Sequence, residues 1–186
     1  MIFQLESERL LLLALSENQL ITLSQNGRNE LEKQLNLVIS DFKLNTDDSF
    51  LELFKTALDN YILPNIQKYP ENYEWFTHWF IIEKQSQMTI GGIGIGGMPN
   101  QNKETSIGYF IDEKYENQGV ATEAVGLLTT WMFQNENLEA IVADTLLDGF
   151  GSQKVLQKSG FTLLKEVEEG LRWQLKKPCV INLNKI

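Results

Sequence analysis

Behind Arg9 the chain runs from Leu10 to Leu15 without a polar residue, a short apolar run consistent with a buried strand, and Ser16 then caps a helical stretch. From Asp47 to about Ile66, DDSFLELFKTALDNYILPNI sets Phe50, Leu51, Phe54 and Leu58 at helical spacing behind an acidic first turn. This spacing predicts an amphipathic helix ending near Pro64. YEWFTHWFIIE (Tyr73 to Glu83) is rich in aromatic and β-branched residues and predicts a strand. A polar turn, KQSQ, leads into IGGIGIGGMP (Ile90 to Pro99), and TSIGYFID (Thr105 to Asp112) predicts the strand that pairs with it. In KYENQGVATEAVGLLTTWMFQ (Lys114 to Gln134), Val125, Leu128 and Met132 recur at helical spacing beside Ala124, Leu127 and Trp131, which predicts a helix with a broad buried stripe. AIVADTL (Ala140 to Leu146) predicts a strand, and SQKVLQKSGF (Ser152 to Phe161) a short helix closed by Gly160. FTLLKEV and LRWQLK predict a closing hairpin around EEG. The alternation argues one α/β (α+β) domain over 1–186, with 178–186 as a tail.

Gly92, Gly94 and Gly97 spell G-x-G-x-x-G, the fingerprint of a dinucleotide loop. That fingerprint needs a helix immediately after it, whose N-terminus holds the pyrophosphate. Here a proline-containing turn, GMPNQNKETS, follows instead. Gly92, Gly94 and Gly96 alternate along one face of a strand, where bare positions mark close approach by a backbone or a ligand. YENQGVATEA has what the glycine stretch lacks: a loop carrying Gln118 and Gly119, then a helix beginning at about Thr122. Outward N–H groups and the helix dipole suit such a turn to a pyrophosphate, although the same residues also read as an ordinary start to a helix.

Composition narrows the partners. Hydrophobic residues make up 42% of the 186 and charged residues 22%, an ordinary globular balance, and the net charge is -9. No nucleic-acid backbone is expected as a partner of so acidic a chain. The charge suits a cationic ligand and equally serves solubility. Cys179 is the single cysteine, which excludes an intrachain disulfide and reads as an inert tail residue. No apolar run approaches the roughly 20 residues of a membrane span, no charged region of a signal peptide precedes Leu10, and no metal site is read. The expectation is a cytoplasmic chain.

The strings IGYFIDEKYENQGVATEAVGLLTTWMF and SQKVLQKSGF, with the opening SERLLLLAL, closely resemble the GCN5-related N-acetyltransferase (GNAT) superfamily and its RimJ/RimL-like branch. The resemblance spans roughly Ser7 to Leu175. It implies a mixed central sheet of about six to seven strands flanked by helices and splayed open at an acetyl-CoA cleft. It further implies that the backbone at Phe110 and Ile111 pairs with the pantetheine amides. The loop Glu116, Asn117, Gln118, Gly119, Val120 and Ala121, with Thr122, would cradle the pyrophosphate. The activity implied is transfer of an acetyl group from acetyl-CoA to a primary amine, which attacks directly in a ternary complex. The acceptor is a small amine or a protein N-terminus, and a homodimer is compatible with the chain.

The sequence departs from the family pattern at several positions. Glu116 stands where Arg or Gln is usual, Gly149 where Asn is, Leu13 where Arg is and Ser106 where Glu is, while Leu156 falls at the position of a tyrosine acid. Three catalytic candidates remain, each with a second reading. Ser152 could donate a proton to the departing thiolate or merely cap its helix. Glu104, on the strand face of Ser106, could supply the displaced carboxylate as base or be a solvated turn residue. His78, the single histidine, has the intrinsic pKa of a base, but Phe76 and Phe80 flank it as they would a core or substrate-wall residue. The segments expected to shape the acceptor pocket, Asn26 to Pro70 and the Glu168–Leu171 turn, carry no readable signature. A non-catalytic acyl-CoA-binding protein on the same fold is the alternative.

Overall fold

The computed structural model describes residues 3–44 and 48–178, and for 48–51 the backbone alone. Eight strands form one sheet: β1 (Gln4–Glu6), β2 (Leu10–Ala14), β3 (His78–Glu83), β4 (Met88–Ile95), β5 (Glu104–Ile111), β6 (Ala140–Thr145), β7 (Thr162–Val167) and β8 (Gly170–Lys176). Their spatial order is β1-β2-β3-β4-β5-β6-β8-β7. Every pairing is antiparallel except that of β5 with β6. Seven of these strands follow the sequence pattern. The eighth, β1, spans only three residues, too few for an alternation to show.

The helices are α1 (Glu17–Asn26), α2 (Arg28–Gln34), α3 (Asp48–Ala57), α4 (Leu63–Lys68), α5 (Val120–Met132) and α6 (Phe150–Lys158). Ser16 stands at the N-cap of α1, where its N–H donates to Gln19 Oε1 at 2.8 Å. Helix does not stop at Pro64. A π-turn over Leu58–Ile62, in which Leu63 N–H reaches back to the Leu58 carbonyl, joins α3 to α4, and this widened turn accommodates Pro64 and its missing N–H. The strand expected from Tyr73 begins only at His78. Pro70–Trp75 is a 3₁₀ turn whose Trp75 is buried by tertiary packing, not by sheet alternation. The expected start of the helix at Asp47, the side chains of Phe50 and Leu51, and Cys179 lie outside the described residues.

One face of the sheet packs on α5, whose Ala124, Val125, Leu128 and Met132 are fully buried as the stripe predicts. Ile93, Ile107, Ile141 and Trp173 are buried among the sheet residues of the same core. The other face carries the glycines. β4 and β5 pair as the predicted hairpin, with Gly92 opposite Phe110 and Gly94 opposite Gly108. The His78 ring leans over Gly92 and stacks on that of Phe110, 5.6 Å apart at 11°. A Cβ on Gly92 would collide with both rings, so this strand is bare because aromatic rings occupy the space. We expect Gly92→Ala to destabilise the fold by about 1–3 kcal/mol through overpacking, read as a lower midpoint in chemical denaturation. Gly108→Ala, with open space above it, should lose much less.

Candidate active site

The parallel strands β5 and β6 pair for three residues only: Glu104 with Ala140, Thr105 with Ile141 and Ser106 with Val142. β5 continues to Ile111 against β4 alone, which leaves a fork on its other edge. Ladder parity decides which backbone groups face that fork. Gly96 N–H donates to the Ser106 carbonyl and Asp112 N–H to that of Ile90, so the even-numbered residues of β5 turn their N–H and C=O toward β4. Ile111 turns its backbone groups toward the fork. Phe110 does not, because it is spent on Gly92, and Tyr109 takes its place.

Beyond β5 the chain tightens into a loop. Asp112, 3% exposed, accepts a hydrogen bond from Lys114 N–H and so caps the 3₁₀ turn Glu113–Tyr115. Asn117 (φ 59°) and Gly119 (φ 78°) are both left-handed, a conformation that Asn tolerates and Gly adopts freely. Gln118 Nε2 donates to the Lys114 carbonyl at 2.6 Å. α5 begins at Val120, two residues before the expected Thr122. The first N–H satisfied within it is that of Glu123, on the Gly119 carbonyl. Those of Val120, Ala121 and Thr122 point out of the helix N-terminus, where the dipole favours an anion. Glu116 is exposed, so its carboxylate can stay in solvent while the backbone binds phosphate.

The sheet forks between parallel strands, a loop of outward N–H groups closes the end of the fork, and the acetyltransferase (GNAT) domain matches residues 9–162. The chain belongs to the GNAT acetyltransferase family. It is 33% identical over 98 residues to an uncharacterized N-acetyltransferase, YjdG, of Bacillus subtilis (strain 168), covering 53% of this chain and 58% of that protein. Over 96 residues it is 30% identical to a ribosomal-protein-serine acetyltransferase of Escherichia coli (strain K12), covering 50% and 53%. The chain thus spans about half the length of the curated relatives it matches. Among solved structures, it resembles a ribosomal-protein-S5-alanine acetyltransferase from Vibrio fischeri (TM-score 0.61, 18% identity, 94% of this chain and 97% of that one). It also resembles a RimL ribosomal alpha-N-protein acetyltransferase in complex with coenzyme A (TM-score 0.62, 18% identity, 91% and 95%). At these identities the likeness shows the fold.

Acetyl-CoA is the co-substrate of the GNAT family, and the residues here fit it. The unpaired amide edge at Tyr109 and Ile111 suits an amide-bearing arm, and the free N–H groups of the loop suit a pyrophosphate. The three expected catalytic residues fall at different places around the fork. Ser152 is exposed and is the third residue of α6, not its cap; Gly149 holds that position. Its carbonyl accepts the Tyr109 hydroxyl at 3.1 Å, which ties α6 to the edge of the fork. Burial raises the pKa of that phenol and keeps it protonated. Glu104 sits at the closed end of the fork, where Oε1 accepts from Gln174 Nε2 at 2.7 Å. His78 is 5% exposed, with Phe54, Phe80 and Phe110 around its ring. Burial lowers its pKa from 6.5 to about 3, so the imidazole is neutral at physiological pH.

Arg9, Ser7 and Glu123 escaped the sequence reading because 114 residues separate Arg9 from its partner. Arg9 Nε pairs with one oxygen of Glu123 in the first turn of α5, and Ser7 Oγ donates to the other. Arg9 Nη2 donates to the Gln118 carbonyl at 3.2 Å. The segment before β2 therefore holds the chain on both sides of Gly119, and the SERL string at the head of the resemblance is the signal that pointed there. Gly119→Val puts a branched side chain at a left-handed position facing the anion site. It should weaken acetyl-CoA at least tenfold, about 1.4 kcal/mol, by calorimetry. Arg9→Ala frees the loop without adding bulk and should weaken it by about three- to tenfold. Unchanged affinity in both variants, with the fold intact by circular dichroism, would assign the phosphate elsewhere.

Proposed function

We propose that the protein is an acetyl-CoA-dependent N-acetyltransferase that acts on a primary amine, either a protein N-terminus or a small amine. The observation that carries this reading is the fork itself: a strand edge with unpaired amides, ending in a loop of free N–H groups. The amine nitrogen attacks the thioester carbonyl carbon, the C–S bond breaks, and the departing thiolate takes up a proton. Holding amine and thioester in one ternary complex supplies several kcal/mol of barrier reduction through orientation alone. Relatives named for ribosomal-protein serine and alanine acetylation support a protein N-terminus as one candidate acceptor.

Proton transfer is spread over groups at the rim of the fork. Ser152, exposed beside the Tyr109 contact, is placed to donate to the thiolate. Glu104 is engaged by Gln174 and acts as a base through water. His78, neutral and walled by rings, shapes the site and takes up no proton at neutral pH. A second reading, acyl-CoA binding without turnover, draws on that engagement of Glu104 and on Gly149, where a side chain would crowd the Leu146 carbonyl. Release of free thiol from acetyl-CoA across an amine panel separates the two readings.

Under the first reading, Ser152→Ala should slow turnover by roughly ten- to a hundredfold at unchanged cofactor affinity, at or below the low end of general acid–base effects. Glu104→Gln should cost less, and most at low pH, where more of the amine is protonated. Full kcat in Ser152→Ala, with chemistry shown to limit the rate, removes the serine from the mechanism. Abolition of activity by Glu104→Gln alone, with acceptor still bound, makes Glu104 a dedicated base.

A further inference from the structure

A cavity of about 320 Å³ lies between the glycine-bearing face of the sheet and the helices above it. Five of its walls are rings, those of Phe42, Phe54, His78, Phe80 and Phe110, with centroid separations of 4.8 to 6.0 Å. Its volume is at the small end of the range for small-molecule sites. One hydroxyl on a lining residue has no hydrogen-bond partner among the described residues: Thr89 Oγ1, on a residue 2% exposed. Arg28, also on the lining, faces Glu32 Oε1 with its Nε at 3.5 Å. Native interiors rarely leave a buried hydroxyl unmatched, so an oxygen-bearing ligand fits here.

The roof is built in advance. Glu32, fully buried, accepts from Ser40 N–H and Ser40 Oγ, while Arg28 Nη2 donates to the Ser40 carbonyl. This polar knot anchors the segment that presents Phe42 edge-on to Phe110, 5.9 Å between centroids, with the Arg28 guanidinium 4.3 Å above the Phe42 ring. Through Phe110 the cavity reaches β5, the strand whose other edge is the fork. His78 stands in the cross-strand row His78–Gly94–Gly108. Above Gly108 there is open space, and above Gly94 only the Thr77 carbonyl, at 3.9 Å. From Gly108 to Phe110 is two residues of strand, about 7 Å.

We infer that this cavity takes the uncharged, oxygen-bearing aromatic ring of the acceptor. The acceptor nitrogen stays outside, over Gly94 and Gly108, on a chain of about two or three carbons, which together with the radius of the ring approaches this distance. The inference rests on the acetyl-transfer reading of the fork and names the acceptor class for that same site. Burying an ammonium among these rings carries the desolvation penalty that already holds His78 neutral, and Lys55 on the lining repels it, while the Arg28 charge is matched by buried Glu32. An amine that is charged along its whole length is therefore rejected.

Calorimetry with tyramine, phenethylamine and spermidine, each in the presence of coenzyme A, tests this on the full chain, with turnover measured in parallel. Tyramine should bind about three- to tenfold more tightly than phenethylamine, the share of one hydrogen bond, and spermidine more weakly than either. Thr89→Val keeps the volume and removes a hydroxyl that lacks a protein partner. It should hold or raise the thermal midpoint and bring the ratio of tyramine to phenethylamine affinity to about one, leaving acetyl-CoA affinity unchanged. Phe54→Ala, at a half-buried wall residue, should weaken both aromatic amines. Spermidine binding as tightly as tyramine, or a Thr89→Val variant that keeps the ratio, would overturn the assignment. Tyramine bound but never acetylated sinks the acetyl-transfer reading and spares the cavity; spermidine acetylated with no tyramine bound does the reverse. A tyrosine-initiated peptide that matches tyramine identifies the ring's source as a protein N-terminus, and one that fails to bind identifies a small amine.

Discussion

Two parallel strands that part company after three residues set the terms for this molecule. A strand edge in the middle of a sheet must satisfy its N–H and C=O groups. From Gly108 to Ile111, β5 does so only toward β4. The groups at Tyr109 and Ile111 are thus left for a partner outside the sheet. α5 and α6 share the core of that partner's side, and the Tyr109 hydroxyl on the Ser152 carbonyl holds α6 at the opening. The site is the place where sheet pairing was withheld.

The loop at the end of the fork depends on the same economy of unpaired groups. Its left-handed Asn117 and Gly119 shape the turn, and Asp112 and Gln118 tie its first half to Lys114. Fixing at Glu123 comes from the far end of the chain, through Arg9 and Ser7. Arg9 is nearly half exposed, where an isolated ion pair contributes at most about 1 kcal/mol. Its contribution is therefore to geometry more than to stability. On the opposite face, glycines that resemble a nucleotide loop clear room for rings and for open space beside the fork.

Much of this was legible in the chain because each element carries its own period. α5 shows its stripe, β4 and β5 their hairpin, and Gly160 its left-handed close. The anion loop could be told from the glycine decoy by one local fact, the helix that follows it. What stayed hidden depends on relations between segments. Pro64 inside a helix needs the π-turn ahead of it, and Trp75 needs the core that buries it. The exchange of Phe110 for Tyr109 follows only from which residues of β4 and β5 are hydrogen-bonded. His78 looked like a base by its chemistry, and only the three rings around it show that it stays neutral. The cavity lay in the stretch between Asn26 and Pro70, where no signature stands in the sequence because the pocket is made by side chains from helices, a loop and three strands.

Hydrogen–deuterium exchange, read at single amides with and without acetyl-CoA, tests the central claim most directly. The fork should gain protection at Tyr109 and Ile111, and the loop at residues 117–122, while the already paired glycine strand from Gly91 to Ile95 stays unchanged. Protection confined to the glycine strand, with none at Tyr109, Ile111 or the loop, would contradict the account.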